Sequence, residues 1–109
     1  MILDADHIGM LRALGEEVLA EVIAVYLATT PDNLRAISAA ILASDLVLLR
    51  REAHSLKGAS GNVGAVALSQ ACKGLEHAAA DGHLEEIPGA WATLQARYVE
   101  AREALQELA

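Results

Sequence analysis

Phenylalanine is absent from this 109-residue chain, proline occurs only twice, and Cys72 is the single cysteine. A lone thiol cannot close an internal disulfide, so stability must come from a core, and a reducing cytoplasmic compartment is the expected setting. No apolar run approaches the roughly 20 residues that cross a bilayer, and no basic-then-apolar leader opens the sequence, so neither a membrane span nor a signal segment is expected. Positive charge is also scarce. Eight Lys and Arg stand against fifteen Asp and Glu, giving a formal net charge of −7. Such a chain repels nucleic acid and anionic lipid, which makes both poor partners.

What remains is apolar and helix-forming. Hydrophobic residues make up 54% of the chain and charged residues 21%. A chain of this size suits one domain over residues 1–109 and hides roughly 65% of its unfolded surface. Alanine and leucine dominate and strand character is nearly missing, so the summed helix propensity is high. A short opening helix follows Asp4 or Asp6, either of which can cap it, and Gly15 ends it. A long second helix is expected from about Glu16 to Leu42, with Val18, Leu19, Val22, Ile23, Tyr26 and Leu27 on one buried stripe. Pro31 interrupts it at a cost of about 3 kcal/mol. The stripe resumes at Leu34, Ile37, Ala40 and Ile41, which favours one kinked helix over two joined at Thr29-Thr30-Pro31.

Ser44 is the expected N-cap of a third helix, with Asp45 well placed against the helix dipole. That helix reaches about Ser60, where Gly61 and Asn62 supply turn chemistry. A fourth runs from about Gly64 to Asp81 and stops at Gly82. The last starts near Leu84, tolerates Pro88 in its first turns, and runs almost to the C-terminus. The expected fold is all-α: an antiparallel up-down four-helix bundle with a short additional N-terminal helix. No second apolar surface is obvious, so a monomer is expected.

At about 100° per residue, Leu46, Leu49, Ala53, Leu56 and Ser60 form the core-facing stripe of the third helix. His54 then points roughly 120° away from its centre, toward solvent. Arg50, Lys57, Gly58 and Gly61 lie around it, one or two turns away. Arg50, Arg51 and Lys57 form a cationic spot on an anionic chain, which on charge alone reads as a solvated helix face. Gly58 is harder to explain by packing, since alanine on an outward helical face is better by about 1 kcal/mol. A missing side chain there leaves the imidazole open to another protein. Lys57 discourages protonation of a neighbouring ring, and it can offset up to about 4 kcal/mol of phosphoryl charge, much less when solvated.

These residues carry a resemblance. Ala53-His54-Ser55-Leu56-Lys57-Gly58-Ala59-Ser60-Gly61-Asn62-Val63-Gly64-Ala65 is similar to the signature of histidine phosphotransfer domains, A-H-x-L-K-G-x-S-x-x-x-G-A. Leu68, Cys72, Leu75 and Glu76 resemble the helix that follows in that family, and Tyr26-Leu27 with Pro31 resembles its long second helix. The resemblance implies that His54 is the phosphorylated residue, that Lys57 assists the phosphoryl group, and that Gly58 gives the partner room. It implies core roles for Leu56 and Val63, and a turn shaped by Ser60 and Gly64. Tyr26 stands where phenylalanine is common. Acidic Glu76 replaces a polar helper, which weakens any hydrogen-bond donation from the fourth helix.

The implied activity is reversible phosphoryl exchange between His54 and receiver-domain aspartates, through a loose in-line transition state. Receiver domains of response regulators or hybrid kinases are the implied partners, docking at Arg50, Arg51, Gly58 and Gly61. No acidic cluster surrounds His54, so no cofactor is expected on this chain and Mg²⁺ should come with the receiver. No nucleotide loop or kinase signature is present, so ATP-dependent kinase activity is not expected. His7, His77 and His83 read as surface residues, and Cys72 as core. No zinc ligand set appears, and Ser55 lacks the elbow and triad of a hydrolase. The alternative is a helical protein-interaction module without phosphotransfer.

Overall fold

The structure, a computed structural model, describes residues 1–109, and its regular elements are all helical. A short helix α1 spans Ala5–Ala13, and the long α2 spans Glu16–Leu42. They are followed by α3 over Leu46–Asn62, α4 over Val66–Asp81, and α5 over Ile87–Leu108. A 3₁₀ turn at Leu84–Glu86 leads into α5. Helices α2 to α5 form the bundle: α3 packs against α2 and α4, α4 against α5, and α5 returns to α2. Helix α1 lies against α2 and buries Ile8 and Leu11.

The N-cap of α1 is Asp4, whose carboxylate accepts from the backbone N–H groups of Asp6 and His7 at 3.0 and 3.3 Å. Helix α2 continues through Pro31. Proline cannot donate to the Leu27 carbonyl, so the ladder loses one bond there. Just before it, the Thr29 and Thr30 hydroxyls donate back to the carbonyls of Val25 and Tyr26 at 3.0 and 2.9 Å. The apolar stripe on both sides of the proline keeps its register, with Leu19, Ile23 and Tyr26 buried before it and Ile37 and Ala40 after. Burial on both flanks outweighs the local defect.

Two helix junctions, α2–α3 and α3–α4, differ from the sequence expectation, and each turns on one residue of positive φ. Ser44 does not cap α3. It takes a left-handed conformation, φ +54°, that closes α2, while the Asp45 N–H reaches back to the Ala40 carbonyl at 2.9 Å. The connection is so tight that Ser44 is consumed by ending one helix. Asp45 therefore caps the next, accepting from Leu48 N–H at 3.0 Å. At the other end, Gly61 and Asn62 remain inside α3, and α4 begins at Val66 rather than Gly64. The left-handed residue is Gly64, φ +78°, and the Ala65 N–H bonds the Ser60 carbonyl at 2.8 Å. One residue with positive φ suffices for this turn, so the chain stays helical until it reaches Gly64.

Helix α1 is fastened to that turn. The Asp4 N–H donates to the Gly64 carbonyl at 2.8 Å, and His7 Nε2 donates to the Asn62 carbonyl at 2.7 Å. His7 is thus a half-buried structural residue rather than an ordinary surface one. His77 and His83 are exposed as expected, with His83 paired to Glu86 at 2.7 Å.

The missing phenylalanines have a counterpart in the core. Its buried rings are Tyr26 and Tyr98, and each hydroxyl has a partner. Tyr26 Oη lies 2.7 Å from Ser60 Oγ, which ties α2 to α3. The Tyr98 hydroxyl reaches Thr30 Oγ1 at 3.2 Å, and Thr30 in turn donates to the Tyr26 carbonyl, which ties α5 to α2. Buried hydroxyls left unpaired cost about 1–3 kcal/mol each, so this layer favours one helix register. Cys72 is fully buried, and burial pushes its thiol up to about 12, which keeps it protonated and unreactive.

A Cβ added at Gly64 would sit 3.2 Å from His7 Cδ2, in a conformation that L residues disfavour by about 1–2 kcal/mol. Gly64→Ala is therefore expected to lose about 1–2 kcal/mol in urea denaturation. Gly9→Ala, where the added carbon meets nothing within 4 Å, should be neutral or stabilising.

Candidate functional site

Helix α3 is held from below by Leu49, Ala53, Leu56 and Ser60, all fully buried. This confirms the expected stripe, except that Leu46 at its start is only half-buried. His54 therefore projects outward, and its side chain is 66% exposed. The rigidity comes from the buried side of the helix, and the access from the opposite side.

The ring is not free to turn. His54 Nδ1 lies 2.8 Å from Oε2 of Glu76, on the neighbouring α4. The other carboxylate oxygen, Oε1, accepts from Lys57 Nζ at 2.6 Å. Glu76 is only 12% exposed, and burial alone would raise its carboxyl pKa. Hydrogen bonds from Lys57 and His54 outweigh that effect and hold it below the ordinary carboxylate range. An ionised carboxylate has only acceptors, so the bridging hydrogen belongs to Nδ1. In a neutral ring the unprotonated nitrogen is then Nε2, on the edge away from Glu76. Lys57 supplies the cation expected near His54, but Glu76 holds it. Ser69 adds a further tie between the helices, donating to the Lys57 carbonyl at 3.1 Å.

Arg50 and Arg51 line an open groove of about 450 Å³ beside the ring, together with Leu46, Val47, Glu76, Ala79 and Ala80. Neither arginine takes part in an ion pair, whereas Arg12, Arg35, Lys57 and Arg97 each do. Gly58 is exposed one turn beyond His54, and an added Cβ there meets nothing within 4 Å. No neighbour within the chain requires glycine at this position. Gly61 is exposed as well, with Ser69 Oγ at 3.8 Å from the position of a Cβ, an ordinary contact. No group of three His, Cys, Asp or Glu side chains is placed to hold a metal ion. No helix is long and apolar enough to cross a membrane.

The candidate site residues on α3 thus lie on one outward face, and Glu76 is the neighbour that the sequence left without a role. The available signal was the turn. His54 lies ten residues before Gly64 and Glu76 twelve after it, so an antiparallel pair folded at that glycine brings the two together.

Removing the Glu76 charge has a defined pH signature. A carboxyl group whose folded pKa is depressed stabilises the fold above its unfolded value, and loses that contribution as pH falls through the folded one. Wild type should exceed Glu76→Gln by about 1 kcal/mol near neutrality, the worth of charge-assisted bonds whose donors are part-exposed. The gap should close as the pH drops below 4.5, the ordinary glutamate value, in denaturation curves of both proteins.

The comparisons with known proteins agree with this fold. The family model for the Hpt domain matches residues 21–109. Histidine-containing phosphotransfer protein B (HptB) from Pseudomonas aeruginosa PAO1 is 31% identical, with a TM-score of 0.90 over 97% of this chain and 92% of that one. Histidine-containing phosphotransfer protein MtHPt2 from Medicago truncatula shares the fold at 23% identity, with a TM-score of 0.87 over 98% of this chain and 76% of that one. No curated protein matches the chain by sequence. With a matching signature, bundle and family model, the chain belongs to the Hpt domain family.

Proposed function

We propose that this chain is a phosphorelay intermediate in which His54 Nε2 accepts a phosphoryl group from a receiver-domain aspartate and passes it to the aspartate of another receiver. A histidine phosphotransfer role in a phosphorelay follows from the family. The residue and its partners are the finer reading. The observation that carries it is an imidazole whose Nδ1 is fixed on Glu76 at 2.8 Å while its side chain stays 66% exposed, on a helix held from its buried side.

In this reading the Nε2 lone pair attacks phosphorus in line, and the aspartate oxygen leaves with the bonding electrons. The gain comes from positioning and charge stabilisation. Glu76 fixes the tautomer, as the orienting carboxylate does in a catalytic triad. Lys57 offsets phosphoryl charge from one turn along the helix. Mg²⁺ is supplied by the receiver, and the acidic surroundings of such a site suit the unpaired Arg50 and Arg51. The exposed backbone at Gly58 and Gly61 lets the receiver approach closely. The chain works as a monomer in the cytoplasm.

Incubation with a phosphorylated receiver should place acid-labile, alkali-stable phosphate on the wild-type chain and none on His54→Gln. Labelling of His54→Gln at the wild-type level refutes the site. Absence of label with every receiver tested, despite binding, favours the interaction module without phosphotransfer. Gly58→Ala should fold at least as well as wild type, gaining up to about 1 kcal/mol. It should nevertheless slow transfer from the receiver, and Gly58→Leu should slow it further, in rapid-quench assays. Unchanged transfer in Gly58→Leu removes the docking role.

A further inference from the structure

We propose that Glu76 keeps the Nδ1 proton of His54 in place throughout the transfer cycle, which makes the phosphohistidine a readily discharged donor rather than a long-lived store. This rests on the reading that His54 carries the phosphoryl group. It assigns Glu76, whose contact is with the ring nitrogen remote from the phosphoryl group, as a positioning residue that governs how fast the group leaves.

The chemistry turns on one proton. When Nε2 attacks, an N–P bond forms, the O–P bond to the donor aspartate breaks, and the ring becomes a cation that still bears Nδ1–H. A ring facing water then gives that proton to solvent and becomes a neutral phosphoramidate. To break its N–P bond afterwards, such a ring must leave as an anion or first regain a proton. Here Nδ1 faces a carboxylate 2.8 Å away. That carboxylate can only accept, and its attraction for a ring cation holds the proton where it is. Discharge is then direct. The acceptor aspartate oxygen attacks phosphorus, the N–P bond breaks, and Nε2 recovers its electron pair as a neutral imidazole with Nδ1–H.

The surroundings reinforce this bias. The charged groups around the ring are Glu76 from α4 and Arg50 and Arg51 from α3, and Lys57 is bound to the second oxygen of Glu76. Lys57 keeps the carboxylate ionised, hence acceptor-only. The negative charge of Glu76 also opposes a phosphoryl group on the same ring. A carboxamide at this position behaves differently, because its NH₂ can turn to a bare Nδ1 and stabilise the proton-free phosphohistidine.

The test loads wild type and Glu76→Gln with phosphoramidate, removes the reagent, and follows loss of the label together with the ¹⁵N signals of the histidine rings. In wild type, phosphorylated His54 should keep its Nδ1 proton from neutral to mildly alkaline pH. Glu76→Gln should lose that proton as pH rises and discharge to a receiver on the order of tenfold more slowly. A merely structural role would not move the protonation state of one nitrogen. Equal or faster discharge from Glu76→Gln overturns the proposal, and so does a proton-free Nδ1 in the wild-type phosphoprotein. The second measurement needs no variant to fold. Failure of wild type to take any label at His54 overturns the function along with the proposal, whereas labelling with equal lifetimes overturns the proposal alone.

Discussion

A single carboxylate bridges the two helices that matter most. Glu76 receives His54 on one oxygen and Lys57 on the other, from positions one turn apart on α3. Both donors are lost together if α4 shifts along α3 by one turn, because the bridge needs the two donors and the acceptor at one level. The register of this helix pair is set at Gly64, where the left-handed turn returns the Ala65 N–H to the Ser60 carbonyl. It is held along its length by Ser69 on the Lys57 carbonyl. The orientation of the His54 ring thus traces back to a glycine ten residues away.

A bridge of this kind would be of little use on a helix free to rock. The buried hydroxyl layer prevents that. Ser60, on the same helix as His54, meets the Tyr26 hydroxyl 34 residues earlier in the chain. Tyr26 is linked through its carbonyl to Thr30, and Thr30 to Tyr98 on α5. In a core of alanine and leucine, which pack in several similar ways, such directional contacts distinguish one packing from its neighbours. Pro31 belongs to the same argument, because Thr30 beside it donates into the layer and the helix passes through unbroken.

The sequence made the outward face of α3 legible because periodicity fixes direction: Leu49, Ala53 and Leu56 inward leaves His54 outward. The core identity of Cys72 followed in the same way, as did the continuation of α2 beyond Pro31. What escaped depended on contacts between segments distant in the chain. His7 looks like any surface histidine until Asn62 is brought beside it by the α3–α4 turn. Ser44 and Asp45 are both good caps by propensity, and only the tightness of the α2–α3 connection decides between them. Glu76 reads as a departure from a family pattern in one dimension, whereas in three it is the acceptor that both α3 donors require.

The site also separates two kinds of work that charge performs. Lys57 and Glu76 neutralise each other at 2.6 Å, so that pair adds no net charge beside the ring. In the proposed function, attraction for an anionic partner falls to Arg50 and Arg51, which take part in no ion pair and line the groove beside the ring. With the arginines in that role, an acidic surface can approach within a Debye length and be guided in while the proton on Nδ1 and the direction of Nε2 stay fixed. On the proposed function, recognition can therefore vary through positions 50 and 51 without disturbing the chemistry at position 54.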